Sequence, residues 1–169
     1  MFFPGKRLLA RLVLAPVATV ALVGAVAACS SDSDSSADSV SKGSCVEVTD
    51  NAADAMTATV GDCGAATSNY RIVQVGTAPL NCAVEDATFN GTVGDTKTGL
   101  CLSPNFAEGK CYADAGQRPA EAVACTAPEA TFKVVKRIDG AADELQCGAD
   151  ATQFRTVADP KTTFCMAKP

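Results

Sequence analysis

The sequence has no histidine and no tryptophan, and its aromatic side chains are confined to two tyrosines and seven phenylalanines. Without histidine there is no Ser-His-Asp hydrolase triad, no Cys-His nucleophile pair and no imidazole ligand for zinc or copper. Basic side chains are scarce as well. Lys and Arg number 14 against 19 Asp and Glu, and Lys6, Arg7 and Arg11 fall in the first 28 residues, which hold no acid. The rest of the chain therefore carries 11 − 19 = −8. A chain this acidic is repelled by nucleic acid and by anionic headgroups, so nucleic acid is not an expected partner. There is no Gly-rich phosphate loop, no Asx-rich calcium loop and no nucleophile elbow. The nearest cysteines, Cys101 and Cys111, have nine residues between them, which is too far for a thioredoxin-like Cys-x-x-Cys pair or a zinc knuckle. No catalytic residue, cofactor site or metal site is read from the sequence.

What the sequence does have is nine cysteines and a patterned N-terminus. Three basic residues precede a short apolar run over residues 12–26, well below the roughly 20 residues needed to span a bilayer. A basic start, a short apolar run and small residues at its end describe a secretory signal over residues 1–28. Its end, Val26, Ala27, Ala28 and Cys29, looks like a bacterial lipobox. By that resemblance, cleavage falls before Cys29 and the Cys29 thiol carries a diacylglyceryl group. Two or more acyl chains make a stable anchor, so the membrane is an expected partner through Cys29. Residues 29–44, mostly Ser and Asp, have almost nothing to bury and are expected to be a disordered tether.

The remainder reads as two copies of one module, residues 45–105 and 106–169. Aligning Cys63 with Cys125 matches twelve residues without a gap and lays Tyr70 on Phe132. Cys45 then corresponds to Cys111, Cys82 to Cys147 and Cys101 to Cys165, and Phe89 lies over Phe154. A repeat of this kind is the strongest structural signal in the chain. The fold class expected is mainly β: two tandem, disulfide-stapled small β modules, with room for one short helical turn per module after Cys82 or Cys147. Residues 70–75 and 132–138 alternate β-branched or aromatic with polar side chains. Shorter strands are expected at 46–48, 58–60, 99–102, 122–124, 154–157 and 163–166. Tyr70, Ile72, Phe132, Val134 and Phe154 are expected to be buried. Asp159 and Pro160 suit the first two positions of a type I turn, with Asp95 and Thr96 as their counterparts, and Gly116 to Pro119 marks another turn.

Eight cysteines in an exported domain read as four disulfides, because a module of about 60 residues buries too little surface to be comfortably stable alone. The duplication asks each copy to close on itself in the same way. Cys111 and Cys125 flank one turn, and Cys147 and Cys165 another, which favours the sequential pairing Cys45–Cys63, Cys82–Cys101, Cys111–Cys125 and Cys147–Cys165. The nested pairing Cys63–Cys82 with Cys45–Cys101, and Cys125–Cys147 with Cys111–Cys165, stays open. Three further features could carry chemistry: Glu85-Asp86 and Asp143-Glu144 as acid/base pairs, and the repeated Lys97 and Lys161 as ligand-binding amines. Paired surface carboxylates and turn lysines more often serve solubility.

Together, the lipobox, the Ser/Asp tether, Gly61-Asp62-Cys63 and Leu100-Cys101-Leu102 make the chain resemble small actinobacterial lipoproteins of the LppU-like, septum-formation-related type. The second copy departs from that pattern, with Val123-Ala124-Cys125 and Phe164-Cys165-Met166. The resemblance implies location and architecture: a lipid-anchored protein on the outer face of the cell membrane. There it is expected to act as a non-catalytic binding or scaffolding module, with another envelope protein or a cell-wall component as partner. The competing expectation is an envelope hydrolase or a thiol-redox enzyme.

Overall fold

The computed structural model describes residues 39–169 except Asp54. The expected signal segment 1–28, the expected acylation site Cys29 and the expected tether as far as residue 38 lie outside the described residues. Residues 39–44, expected as the end of that tether, are instead tied to the fold. Val40 packs against the core, Gly43 N–H donates to Ile72 O at 2.8 Å, and the Ser41 and Ser44 hydroxyls meet at 3.0 Å. Residues 39–44 thus belong to the fold, against the expectation from composition. No helix among the described residues is long and apolar enough to cross a membrane.

The chain is mainly β. Its strands are β1 (Cys45–Asp50), β2 (Met56–Gly61), β3 (Tyr70–Gly76), β4 (Ala87–Val93), β5 (Thr96–Pro104), β6 (Cys111–Ala115), β7 (Arg118–Val123), β8 (Phe132–Asp139), β9 (Gln153–Ala158) and β10 (Lys161–Ala167). The first five close into a barrel in the order β1-β2-β4-β5-β3, and the second five form a sheet in the order β7-β6-β8-β10-β9. The expected helical turn after Cys147 is a 3-10 turn before it, Glu144–Gln146, because Asp143 caps it by accepting a hydrogen bond from Leu145 N–H at 3.0 Å.

The duplication is legible at the level of single hydrogen bonds. Cys45 faces Arg71 and Val46 faces Tyr70 in the first copy; Cys111 faces Lys133 and Tyr112 faces Phe132 in the second. A bulge falls between Ile72 and Gln74, and its counterpart between Val134 and Lys136. Asn69 Oδ1 accepts from Val48 N–H at 3.2 Å, where Thr131 Oγ1 accepts from Asp114 N–H at 2.8 Å. The four disulfides join Cys45 to Cys63, Cys82 to Cys101, Cys111 to Cys125 and Cys147 to Cys165, each closing a loop of 14 to 19 residues.

One part of the sequence alignment is corrected. Cys101 faces Thr88, whereas Cys165 faces Phe154. The register counterpart of Phe154 is thus Thr88, and that of Phe89 is Arg155. A slip of one residue exchanges the two faces of a strand. Phe89 is accordingly fully buried while Phe154 is 51% exposed, against the expectation for Phe154. Tyr70, Ile72, Phe132 and Val134 are buried. The two hairpin turns also fall one or two residues earlier than expected. Val93 pairs with Thr96 around Gly94-Asp95, and Ala158 pairs with Lys161, so Pro160 takes the third turn position instead of the second.

The same register explains why one copy closes and the other stays open. Parallel pairing of β2 with β4 closes the first barrel, with Met56 opposite Gly91. A Cβ on Gly91 would stand 2.7 Å from the Met56 carbonyl carbon and closer still to its oxygen, so only glycine fits there. Gly91 faces Thr98, and its counterpart, facing Thr162, is Val157. A branched side chain thus occupies the position where the second copy would need to admit a closing strand. Freed from β9, strand β7 packs instead against β4 and β1 of the first copy.

Candidate functional site

The meeting of the two copies brings the buried polar chemistry of the molecule together. One apolar cluster runs through both, and Phe106, in the connector after β5, is its centre. The Phe106 ring lies 4.5 Å from Tyr112, 5.4 Å from both Phe132 and Phe164, and edge-on to Tyr70 at 5.6 Å. Beside it, backbone groups of β7 that would face a closing strand are satisfied by side chains of the first copy. Ala120 N–H donates to the Tyr70 hydroxyl at 2.6 Å, and Asn69 Nδ2 donates to Ala120 O at 3.3 Å. Asn51 Nδ2 donates to Pro119 O at 3.0 Å, and Arg118 donates back to Asn51 O. Thr88 N–H reaches Gln117 O at 2.7 Å. The buried edge of β7 is thus satisfied as a buried backbone must be.

Two recesses flank this junction. On one side an open cleft of about 510 Å3 runs between β1 and β7, lined by Glu47, Thr49, Asn69, Lys110, Glu121 and the small side chains around them. On the other side lies a smaller pocket of about 50 Å3, lined almost wholly by polar groups: Tyr70 at its floor, with Asp86, Asp114, Arg118 and Arg155 around it. Burial raises the Tyr70 hydroxyl far above its ordinary range, outweighing the Ala120 hydrogen bond and the Arg155 charge, which act the other way. Burial, then the neighbouring Glu85 charge, raises the Asp86 carboxyl, with the Ser103 hydroxyl opposing. Tyr112, held by Ala107 N–H at 2.9 Å, is raised mainly by burial.

The residues singled out in the sequence are scattered. Asp86 reaches the small pocket with Glu85 at its rim. Asp143 and Glu144 belong to the capped 3-10 turn, and Lys97 and Lys161 are exposed at separate hairpin turns. The eight cysteines within residues 45–169 are all bridged, and Cys29 lies outside the described residues. Among the described residues no group of three or more Cys, Asp or Glu is placed to hold a metal ion. Sequence reasoning passed over Tyr70, Arg118 and Arg155 as functional groups. The available signal was Arg155 itself, a cation within a strand-like run; that its counterpart is the apolar Phe89 follows only from the register.

The fold and its junction define a duplicated, disulfide-stapled β protein whose two copies have diverged into a closed barrel and an open sheet. No protein-family model, no curated protein and no solved structure matches the chain.

Proposed function

We propose that this chain is a lipid-anchored envelope protein that acts on the outer face of the membrane as a non-catalytic binding or scaffolding module. The observation that carries the reading is the junction. A shared aromatic core and four bridges hold two recesses in fixed shape, and preorganisation of that kind favours binding. Attachment rests on residues 26–29 and on the use of the other eight cysteines in bridges, which leaves Cys29 for acylation. A cell-wall component or a second envelope protein is the partner of this reading, in keeping with the resemblance to septum-formation-related lipoproteins.

Two measurements test it. Cys29→Ala is expected to leave an uncleaved precursor and to abolish partitioning of the mature chain into a detergent phase; normal maturation and partitioning would refute the anchor. The purified mature chain is expected to co-sediment with isolated cell walls or to retain a discrete envelope protein after crosslinking on cells. Failure of both would refute the binding module.

A further inference from the structure

The two copies serve as controls for one another, and they differ most on the inner face of one strand. In β4 that face reads Ala87, Phe89 and Gly91, all buried inside the closed barrel. In β9 the same register positions hold Gln153, Arg155 and Val157. An aromatic ring in one copy is thus a guanidinium in the other, pointing to the same side as the buried Phe164. Arg155 is half-buried there, and a cation drawn partly out of water is costly unless something answers it. The Arg155 side chain nevertheless has no hydrogen-bond or ion-pair partner among the described residues, and the single ion pair among them is Arg137–Asp139 at 2.9 Å on another strand. Glu85, Asp86 and Asp114, of opposite charge, share its pocket without pairing to it.

The floor supplies a second, independent observation. Tyr70 is 1% exposed and its hydroxyl accepts from Ala120 N–H at 2.6 Å, but the hydroxyl proton has no acceptor among the described residues. It lines the same pocket, so a buried O–H donor faces the space between the guanidinium and the carboxylates. In the second copy the matching residue is Phe132, which has no hydroxyl. The pocket therefore holds a guanidinium without a partner, an unused donor, and carboxylates answered by no cation, Asp86 accepting from the Ser103 hydroxyl and Asp114 from Gly116 N–H at 3.1 Å, around a volume of about 50 Å3, the size of a small polar head and not of a ring system.

We propose that this pocket binds a small zwitterionic group, with a carboxylate received by Arg155 and the Tyr70 hydroxyl and an ammonium received by Asp86 with Asp114 at the rim. A guanidinium receives a carboxylate through two parallel N–H donors, which fixes orientation, and an ammonium is a compact triple donor suited to carboxylates. The ligand class is a free amino acid, or a peptide branch ending in a carbon that bears both groups. A neutral polyol would leave charges of both signs uncompensated, and a simple anion would meet the carboxylates. The proposal deepens the binding reading above and rests on it.

The test is a calorimetric and NMR titration of the mature chain in detergent micelles with four probes: alanine, acetate, ethylammonium and N-acetylglucosamine. Alanine is expected to saturate, shifting the Arg155 Nε–H and Ala120 N–H signals, and to bind at least tenfold more tightly than acetate or ethylammonium. Arg155→Leu and Asp86→Asn are each expected to weaken alanine at least tenfold, while Lys97→Ala, at an exposed turn, leaves it unchanged. Arg155→Lys separates a positioning effect of the fork from charge alone and is expected to recover only part of the affinity. Equal binding of acetate, binding of the sugar in place of alanine, no saturation by any probe, or full affinity in Arg155→Leu would each overturn the proposal. Cell-wall co-sedimentation of Arg155→Leu is run alongside. Retention by that variant places the failure in this pocket alone, whereas loss of co-sedimentation by the wild-type chain places it in the binding reading.

Discussion

At the scale of single residues, Gly91 carries more of the architecture than any large side chain near it. Its lack of a Cβ lets the Met56 carbonyl approach and seals the first barrel. Gly91→Val, which places there the residue found at position 157, forces β2 away from β4. Overpacking of this kind typically costs about 1–3 kcal/mol and more where backbone must move. Urea unfolding is expected to show a loss at or above about 3 kcal/mol, and a wild-type midpoint would contradict this account of closure. The tyrosines make a second residue-scale prediction. Burial raises the folded-state pKa of both Tyr70 and Tyr112, so the neutral phenols favour the folded state. That stability is fully present below the unfolded tyrosine pKa of about 10 and is lost as pH climbs above it. Tyrosinate absorbance is expected to stay flat through pH 10 and to rise only together with loss of the β signal in circular dichroism. A tyrosine titrating normally in the folded protein would show that its ring is more open to water than the core allows.

At the scale of elements, the strands with mixed β-branched and aromatic faces were legible in the sequence. Residues 70–75 and 132–138 alternate because Tyr70, Ile72, Phe132 and Val134 face the shared apolar cluster while the side chains between them are more open to water. The cysteine spacing made the repeat legible too, since a bridge ties each strand end to a fixed partner. The slip between β4 and β9 was not legible. Phe89 and Phe154 match as letters, but the loops before them differ in length, and only the ladder opposite Cys101 and Cys165 shows which residue faces which. For the same reason Arg155 escaped notice as a site residue. Local closure of the bridges predicts how the elements fail. Each loop of 14 to 19 residues contributes roughly 3 kcal/mol in the chain-entropy model, against a typical folding stability of about 5–15 kcal/mol. Full reduction is therefore expected to unfold the domain. Thiol titration of the denatured, unreduced protein should find no free thiol beyond an unacylated Cys29. A bridge that reduces under mild conditions while the fold persists would point to thiol chemistry instead.

At the scale of the whole molecule, the repeat does not make two independent bodies. Phe106 touches rings from both copies, and the apolar cluster is continuous through it. Phe106→Ala opens a cavity at the point both halves share, and aromatic truncations of this type cost about 3–5 kcal/mol. Calorimetry is expected to show a single transition moved to lower temperature. Two separated transitions would mean that the copies fold as separate units.

The bridges also set how the molecule answers a pull. Held at one end by a membrane and gripped elsewhere, a protein lengthens by paying out the chain between its crosslinks. Here every bridge joins neighbouring cysteines along the chain, so the stretches 45–63, 82–101, 111–125 and 147–165 stay looped however far the sheets are torn apart. Between the bridges, residues 64–81, 102–110 and 126–146 are left to run out. At about 3.4 Å each they give an extension on the order of 160 Å, after which load passes to covalent bonds. Nested bridges would have locked nearly the whole of each copy; neighbouring ones leave a short, fixed length of give on either side of every loop.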